Sequence, residues 1–386
     1  MDLDRRLAAC LNLHDFEEQA RRRLPRPIFG YVHAAAEDRH AYDGNRAAFR
    51  KHRLVTRVLV DATARSAAVD LFGVPYAQPF GMAPVGLSAL YAYRGDCVLA
   101  EVAARRGIPM VMSSSSLIPM EEVVRVNPQA WFQAYVPGDR AKMEALIARV
   151  LKAGFRTLVI TVDTPAYPNR EAYVRSGFTS PLVPSLGLAW QGVMHPAWTV
   201  RTFLRTLLRH GMPHFENNYA ERGVAIIARN VERSFADRGN LGWDHLARIR
   251  ELWPHKLVVK GVLDVRDAIL ARDVGADGVI VSNHGGRQLD DAVAPLDVLP
   301  EIVRGCPGMP IMLDGGIRRG TDVLKALALG AAFVFVGRPF AYAAATGGRA
   351  GVERAVDLLA AELDRNMVML GVGRVGDLGV GHLRPA

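Results

Sequence analysis

The chain has 386 residues, half of them apolar and 23% charged, with 48 Lys plus Arg against 39 Asp plus Glu. That balance excludes a disordered chain, a collagen-like repeat and a disulfide scaffold. Three scattered cysteines (Cys10, Cys97, Cys306) with no CxxC pair point to free thiols in a reducing compartment and argue against a zinc site.

The opening segment, MDLDRRLAACLNLHDFEEQARRRLP, is too charged for a signal peptide. The first ~75 residues read as helices and a short extended cap belonging to the same domain. The uncharged stretch Leu71–Tyr93 is broken by Gly73, Pro75, Pro79, Gly81, Pro84 and Gly86, so it reads as a buried strand with turns and not as a membrane span. From there short apolar runs recur: FGMAP (80–84), PMVMS (109–113), AWFQAY (130–135), TLVITV (157–162), LVVKG (257–261), GVIVS (278–282), PIMLD (310–314) and FVFVG (333–337). Their continuous hydrophobicity predicts strands covered on both faces. Helix spacing lies between them over Asp139–Gly154, Asp264–Gly275 and Thr321–Gly330, each read as opened by a capping residue and closed by glycine. Eight strands alternating with helices predict a closed (β/α)8 TIM barrel, one domain over residues 1–386 with an N-terminal helical cap. The competing doubly wound sheet lacks its GxGxxG turn after a first strand. The long gap between Val162 and Leu257 predicts an insertion after the fourth strand, at about 177–240.

In such a barrel the chemistry sits at the C-terminal ends of the strands. Those ends carry Gln133 and Tyr135; Thr161 and Asp163, followed by Arg170; Lys260; Ser282, Asn283, His284, Arg287 and Asp290; Asp314 and Arg318; and Arg338. Singly each has a structural reading: Lys260 as a rim salt bridge, Asp163 as a turn cap, His284 as a satisfied histidine. Six consecutive strands contributing to one rim favour a site. DGGIRRG and GRP put bare backbone amides beside Arg318 and Arg338, a phosphate cradle for a substrate or for a cofactor such as FMN. The alternative is a pair of tight turns. His284 is the general-base candidate, with Asp163 to fix its tautomer. Arg287 and Arg170 beside it fit a carboxylate.

SNHGGRQLD, LDGGIRRG and VGRP, together with FQAYV, TVDTP and VVKG, resemble the FMN-dependent L-2-hydroxy acid oxidising enzymes, from about Leu11 to Leu370. The resemblance implies FMN as cofactor and oxidation of a 2-hydroxy acid to the 2-oxo acid. It makes His284 the base, paired with Asp163. Arg287, Arg170 and Tyr31 would take the substrate carboxylate, and Tyr135 its hydroxyl. Lys260 would lie at the flavin N1 and O2 edge. Ala83, Pro84, Val85 and Gly86 would run along the ring, with Ser113, Gln133, Thr161 and Ser282 around it. Asp314, Gly315, Gly316, Arg318, Gly337 and Arg338 would hold the ribityl phosphate end. Ser115 stands where glycolate oxidase carries a substrate-facing Trp, which favours a larger substrate such as mandelate. Gly86 replaces the Ala of efficient oxidases, which leans towards a dehydrogenase. A homo-tetramer is a further implication of the resemblance alone.

Within the insertion, HPAWTVRTFLRTLLRHGMPHFENN (195–218) places Val200, Phe203, Leu204, Leu207 and Leu208 on one predicted helix face, with Arg201, Arg205 and Arg209 on the other. With Trp190, Trp198 and Phe215 flanking it, residues 195–215 read as an interfacial anchor on an anionic membrane; the alternative is a helix packed on the barrel or on a second subunit. HPAW…LRHGMPHF and LWPHKLVVKG resemble the mandelate dehydrogenase branch of that family, whose corresponding loop attaches to the bacterial inner membrane. The resemblance implies (S)-mandelate as substrate, benzoylformate as product, a quinone or other respiratory-chain acceptor, and a peripheral place on the cytoplasmic face. An L-lactate dehydrogenase, a soluble oxidase making hydrogen peroxide, and a flavin-free aldolase or isomerase using Lys260 as a Schiff base are the other readings. No basic run interleaved with aromatics or recognisable module points to nucleic acid.

Overall fold

A computed structural model of the chain describes residues 3–228 and 239–386. The end of the predicted insertion, 229–238, therefore lies outside the described residues. The eight apolar runs form strands β1 (Phe80–Met82), β2 (Val111–Ser113), β3 (Trp131–Ala134), β4 (Thr157–Thr161), β5 (Lys256–Val262), β6 (Gly278–Val281), β7 (Ile311–Asp314) and β8 (Phe333–Val336). They pair in the order β1-β8-β7-β6-β5-β4-β3-β2, every pair parallel. A bridge between Met82 and Met110 brings β1 against β2 and closes the barrel.

The lower half of the barrel is packed solid. Val111, Trp131, Val159, Val258, Ile280, Met312, Phe333 and Phe335 fill it, joined from below by Leu71 and Tyr76. Those two belong to an antiparallel hairpin, Val69–Leu71 with Val74–Tyr76, which plugs the N-terminal mouth. Room for a ligand is thereby left at the C-terminal rim. A bulge in β5 between Lys260 and Val262 carries that strand two residues past Lys260, further than its apolar run predicts.

The covering helices follow local rules. Arg140–Ala153 starts where Asp139 accepts the Lys142 amide and stops at Gly154, whose φ of +102° suits only glycine. Val265–Asp273 is capped in the same way by Asp264. The third predicted helix differs. It spans Gly320–Ala328 and has no side-chain cap at its first residue; instead the Asp322 carboxylate accepts the amides of Arg318 and Arg319 and holds the turn that leaves β7. The last helix, Arg338–Leu370, bends at Gly348 and packs on the N-terminal helix Leu13–Arg23. His52–Leu54 pairs with Leu383–Pro385, tying the two halves of the outer shell.

The insertion helix departs from its predicted face. Between Pro196 and His210 the chain winds through a wide π segment at Thr199–Leu204. The extra residue per turn rotates the pattern. Trp198, Thr202 and Thr206 turn inward; the Trp198 indole donates to the Leu90 carbonyl at 2.6 Å, and its ring stacks on Phe203. Phe215 is buried as well. Trp198 and Phe215 are thus parts of the core and not interfacial residues. Val200, Leu204 and Leu208 face outward, as do Leu186, Trp190, Val193 and Met194 of the preceding helix Leu186–Met194. Among the described residues no helix is long and apolar enough to cross a membrane.

Candidate active site

At the C-terminal rim a cleft opens over about 1330 Å³ of empty space, its open mouth included. Of the candidates from sequence, Tyr31, Ala83, Pro84, Val85, Gly86, Ser115, Tyr135, Thr161, Arg170, Lys260, His284, Arg287, Asp314, Gly315, Gly316, Arg318, Gly337 and Arg338 all line it. Asp163, Ser113, Gln133 and Ser282 stand one layer behind.

His284 begins the turn after β6, with a left-handed φ of +58° that a histidine rarely adopts. The turn is held by the Ser282 hydroxyl, which accepts the His284 amide at 3.0 Å, and by glycines at 285 and 286. Its Nδ1 donates to Asp163 Oδ1 at 2.9 Å, and its Nε2 accepts from the Tyr135 hydroxyl at 3.2 Å. An imidazole tethered this way presents its basic nitrogen to the cleft. Burial is the main influence on its pKa and lowers it; Asp163 pulls it up in part, while Lys260 and Arg170 push it down again. Burial alone would raise the Asp163 carboxyl, but the His284 imidazole and Lys260 outweigh it and keep it ionised. At neutral pH the pair is therefore neutral His and charged Asp, the state a base requires. As pH falls through the lowered value His284 gains its proton, so kcat/KM with an artificial acceptor should drop about tenfold per pH unit only below pH 6.5, the ordinary imidazole value. An acid limb centred above that value would contradict the assignment.

Lys260 is 3% exposed and lies between Asp314 Oδ2, at 2.9 Å, and the Ser282 hydroxyl, at 2.8 Å. Burial works to lower its pKa, and the carboxylates of Asp314 and Asp163 more than reverse this. A lysine locked in its charged form is a poor amine nucleophile, which removes the Schiff-base reading.

The arginines are tied more closely than their spacing implies. Arg170 donates to the Arg287 carbonyl at 2.8 Å, to the Tyr173 hydroxyl at 3.1 Å and to Gln288 Oε1. Arg287 reaches the carbonyls of Ala34 and Tyr31 and, at 2.7 Å, the Tyr173 hydroxyl. Arg338 donates to the carbonyls of Val32, Gly285 and Ala34. Burial, then the neighbouring Arg287, brings the Arg338 pKa down to about 10. Tyr173, Phe178, Tyr167 and Gln288 also line the cleft and were missed from sequence. Gln288 sits inside SNHGGRQLD, and Tyr173 follows Arg170 by three residues, so proximity to the singled-out groups was the available signal.

A protein-family model described as FMN-dependent dehydrogenase matches residues 20–385. The chain belongs to the FMN-dependent dehydrogenase family. This FMN-dependent dehydrogenase is 36% identical over 380 residues to (S)-mandelate dehydrogenase of Pseudomonas putida, covering 97% of the chain and 93% of that protein. It is 39% identical over 375 residues to L-lactate dehydrogenase of Caulobacter vibrioides, covering 94% and 95%. Among solved structures it resembles the monotopic membrane protein (S)-mandelate dehydrogenase, with TM-score 0.87, 34% identity and coverage of 97% and 99%. The eight-stranded barrel and the oxidoreductase class expected from sequence agree with these relatives, and the cofactor is FMN.

The cleft fits that cofactor. Gln133 Nε2, Thr161 Oγ1 and Asp314 Oδ1 are buried polar atoms with no hydrogen-bond partner among the described residues, and a buried polar group without a partner is costly. The resemblance assigns these three residues to the flavin and its side chain. Gly316, at φ +82°, would carry a Cβ within 2.4 Å of the Asn45 carbonyl, so only glycine allows this turn. A Cβ on Gly86 would lie 2.8 Å from both the Ser115 Cβ and the Tyr31 hydroxyl, which leaves no room for the alanine of the oxidases without a shift of both.

Proposed function

We propose that the protein oxidises an L-2-hydroxy acid with a bulky side chain, (S)-mandelate to benzoylformate first among them, while attached peripherally to a membrane. The observation that carries the substrate reading is the wall formed by Gly86 and Ser115. Ser115 is small and packs its Cβ against Gly86, and Tyr31, Tyr173, Phe178 and Tyr167 supply aromatic surface around the same cleft. FMN, when bound, supplies the two-electron acceptor. His284 takes a proton from the substrate at Nε2, and Asp163 stabilises the imidazolium through Nδ1. Arg287 and Arg170 would face the substrate carboxylate and Tyr135 its hydroxyl oxygen, and Lys260 would hold positive charge against the flavin edge with FMN bound. L-lactate is the second reading, favoured by the identity to lactate dehydrogenases.

The test is anaerobic mixing of the holoenzyme with (S)-mandelate or L-lactate, followed at the visible flavin maximum, and then admission of air. Bleaching by (S)-mandelate with slow recovery in air is the expected outcome. Bleaching by L-lactate alone moves the substrate, and immediate recovery in air makes the enzyme an oxidase.

The membrane reading rests on the outward apolar set Leu186, Trp190, Val193, Met194, Val200, Leu204 and Leu208, with exposed Arg201, Arg205 and Arg209 beside it. Each arginine near an anionic surface gains roughly 1 kcal/mol. A quinone in that membrane is the proposed acceptor, and the cytoplasmic face of the inner membrane the proposed side. Leu186→Glu with Leu208→Glu should abolish co-flotation with anionic phospholipid vesicles while dye-linked turnover persists; flotation equal to that of the parent would refute the anchor.

A further inference from the structure

Asp96 is the second residue of the helix Gly95–Arg106 and is 1% exposed. It belongs to no group used above. Its Oδ2 accepts two hydroxyl protons, one from Ser88 and one from Ser116 at 2.5 Å. Both serines are fully buried. Arg94, the nearest influential cation, is itself bonded to Glu122 and Cys97. Burial pushes the Asp96 carboxyl up to about 6, and the hydroxyl bonds from Ser116 and Ser88 work against that rise. A buried carboxylate is expensive to keep, and its two partners show what it holds together.

Ser88 opens a short helix two residues after Gly86, in the loop that leaves β1. Ser116 follows Ser115 in the loop that leaves β2. The two loops also meet directly, the Leu87 amide donating to the Ser115 carbonyl at 3.1 Å. Gly95 backs onto the first of them: a Cβ there would lie 2.5 Å from the Ser88 carbonyl. On the far side Asn217, fully buried, donates to the Ile118 carbonyl at 2.8 Å and accepts the Met120 amide at 2.9 Å, so the second loop cannot retreat.

We propose that Asp96 is a positioning residue: it clamps the loops after β1 and β2 together, fixes the spacing of Gly86 and Ser115, and so sets the width of the pocket for the substrate side chain. The inference rests on the proposed reading of that wall as the side-chain pocket. Without the clamp the two loops are joined, among the described residues, only by the Leu87–Ser115 backbone bond, their spacing relaxes, and discrimination between a large and a small acid changes while the groups around His284 stay in place.

The experiment compares the FMN-loaded parent with Asp96→Ala, Asp96→Asn and Ser116→Ala, using (S)-mandelate and L-lactate with an artificial acceptor. In Asp96→Ala the ratio of kcat/KM for the two acids should shift by about fivefold or more, a change of the size that a methylene in a pocket produces. Ser116→Ala should shift it the same way by less. Asp96→Asn, whose amide oxygen can accept both hydroxyls, should stay within about twofold of the parent. FMN content should hold throughout. Where only one acid is oxidised, its KM replaces the ratio. If Asp96→Ala does not fold, Ser116→Ala and Asp96→Asn decide. A ratio unchanged across the variants, with only the melting temperature lowered, makes Asp96 merely structural and overturns the proposal. A parent reduced by neither acid overturns the substrate reading itself, and the clamp's role with it.

Discussion

His284→Ala retains bound FMN and loses flavin reduction by about 10³-fold or more. A positioned general base contributes about 10² to 10⁴, and this one also leaves an orphan behind. Asp163 Oδ2 already has no hydrogen-bond partner among the described residues, and Oδ1 would lose its Nδ1 donor. The buried carboxylate would then face the burial penalty with Lys260 as its remaining cation and would shift towards protonation. Alanine keeps the strained φ of +58°, so the turn itself is no easier to form. Arg170 and Lys260 keep their own partners, so cofactor absorbance should match that of the parent. Anaerobic stopped-flow reduction reads the loss, and a rate within tenfold of the parent would remove His284 from the base role.

Lys260→Met should be the most damaging single change to cofactor retention. It leaves Asp314, 6% exposed, as a buried charge without its cation, a situation that costs about 3–5 kcal/mol. It also strips the Ser282 hydroxyl of a donor beside the His284 turn. The protein should purify with little FMN and unfold at lower temperature. Pairing it with Asp314→Asn separates the two effects: stability should largely recover because neither charge is left alone, while flavin reduction stays slow because the cation is gone. Recovery of both would mean that Lys260 matters only for folding.

The barrel was legible because each strand is one unbroken apolar run ending in polar residues, and a parallel sheet demands that pattern. The pairing of His284 with Asp163 followed from the same rim argument, although 121 positions separate them. What sequence did not disclose depended on where distant backbone would lie. The donors of Arg287 and Arg338 go largely to carbonyls of the helix Arg26–His33 and the turn after it, between 253 and 306 residues earlier, and no local spacing announces that. The π segment at Thr199–Leu204 escaped because the facing of Val200 and Phe203 had been read at 3.6 residues per turn. The Asp322 cap escaped because it works backwards onto the turn and not forwards into its helix.

Those arginine contacts have an effect on how the protein assembles. Arg287 and Arg338 line the ligand cleft and also fasten Tyr31, Val32 and Ala34. The N-terminal segment is thus a wall of the cleft, latched by residues that follow β6 and β8. Seating that segment and loading FMN become one linked equilibrium: whatever binds the closed cleft also holds the segment down. Limited proteolysis ahead of Pro27 would be slowed by saturating FMN, and a chain trimmed there would surrender its cofactor even with every barrel strand intact.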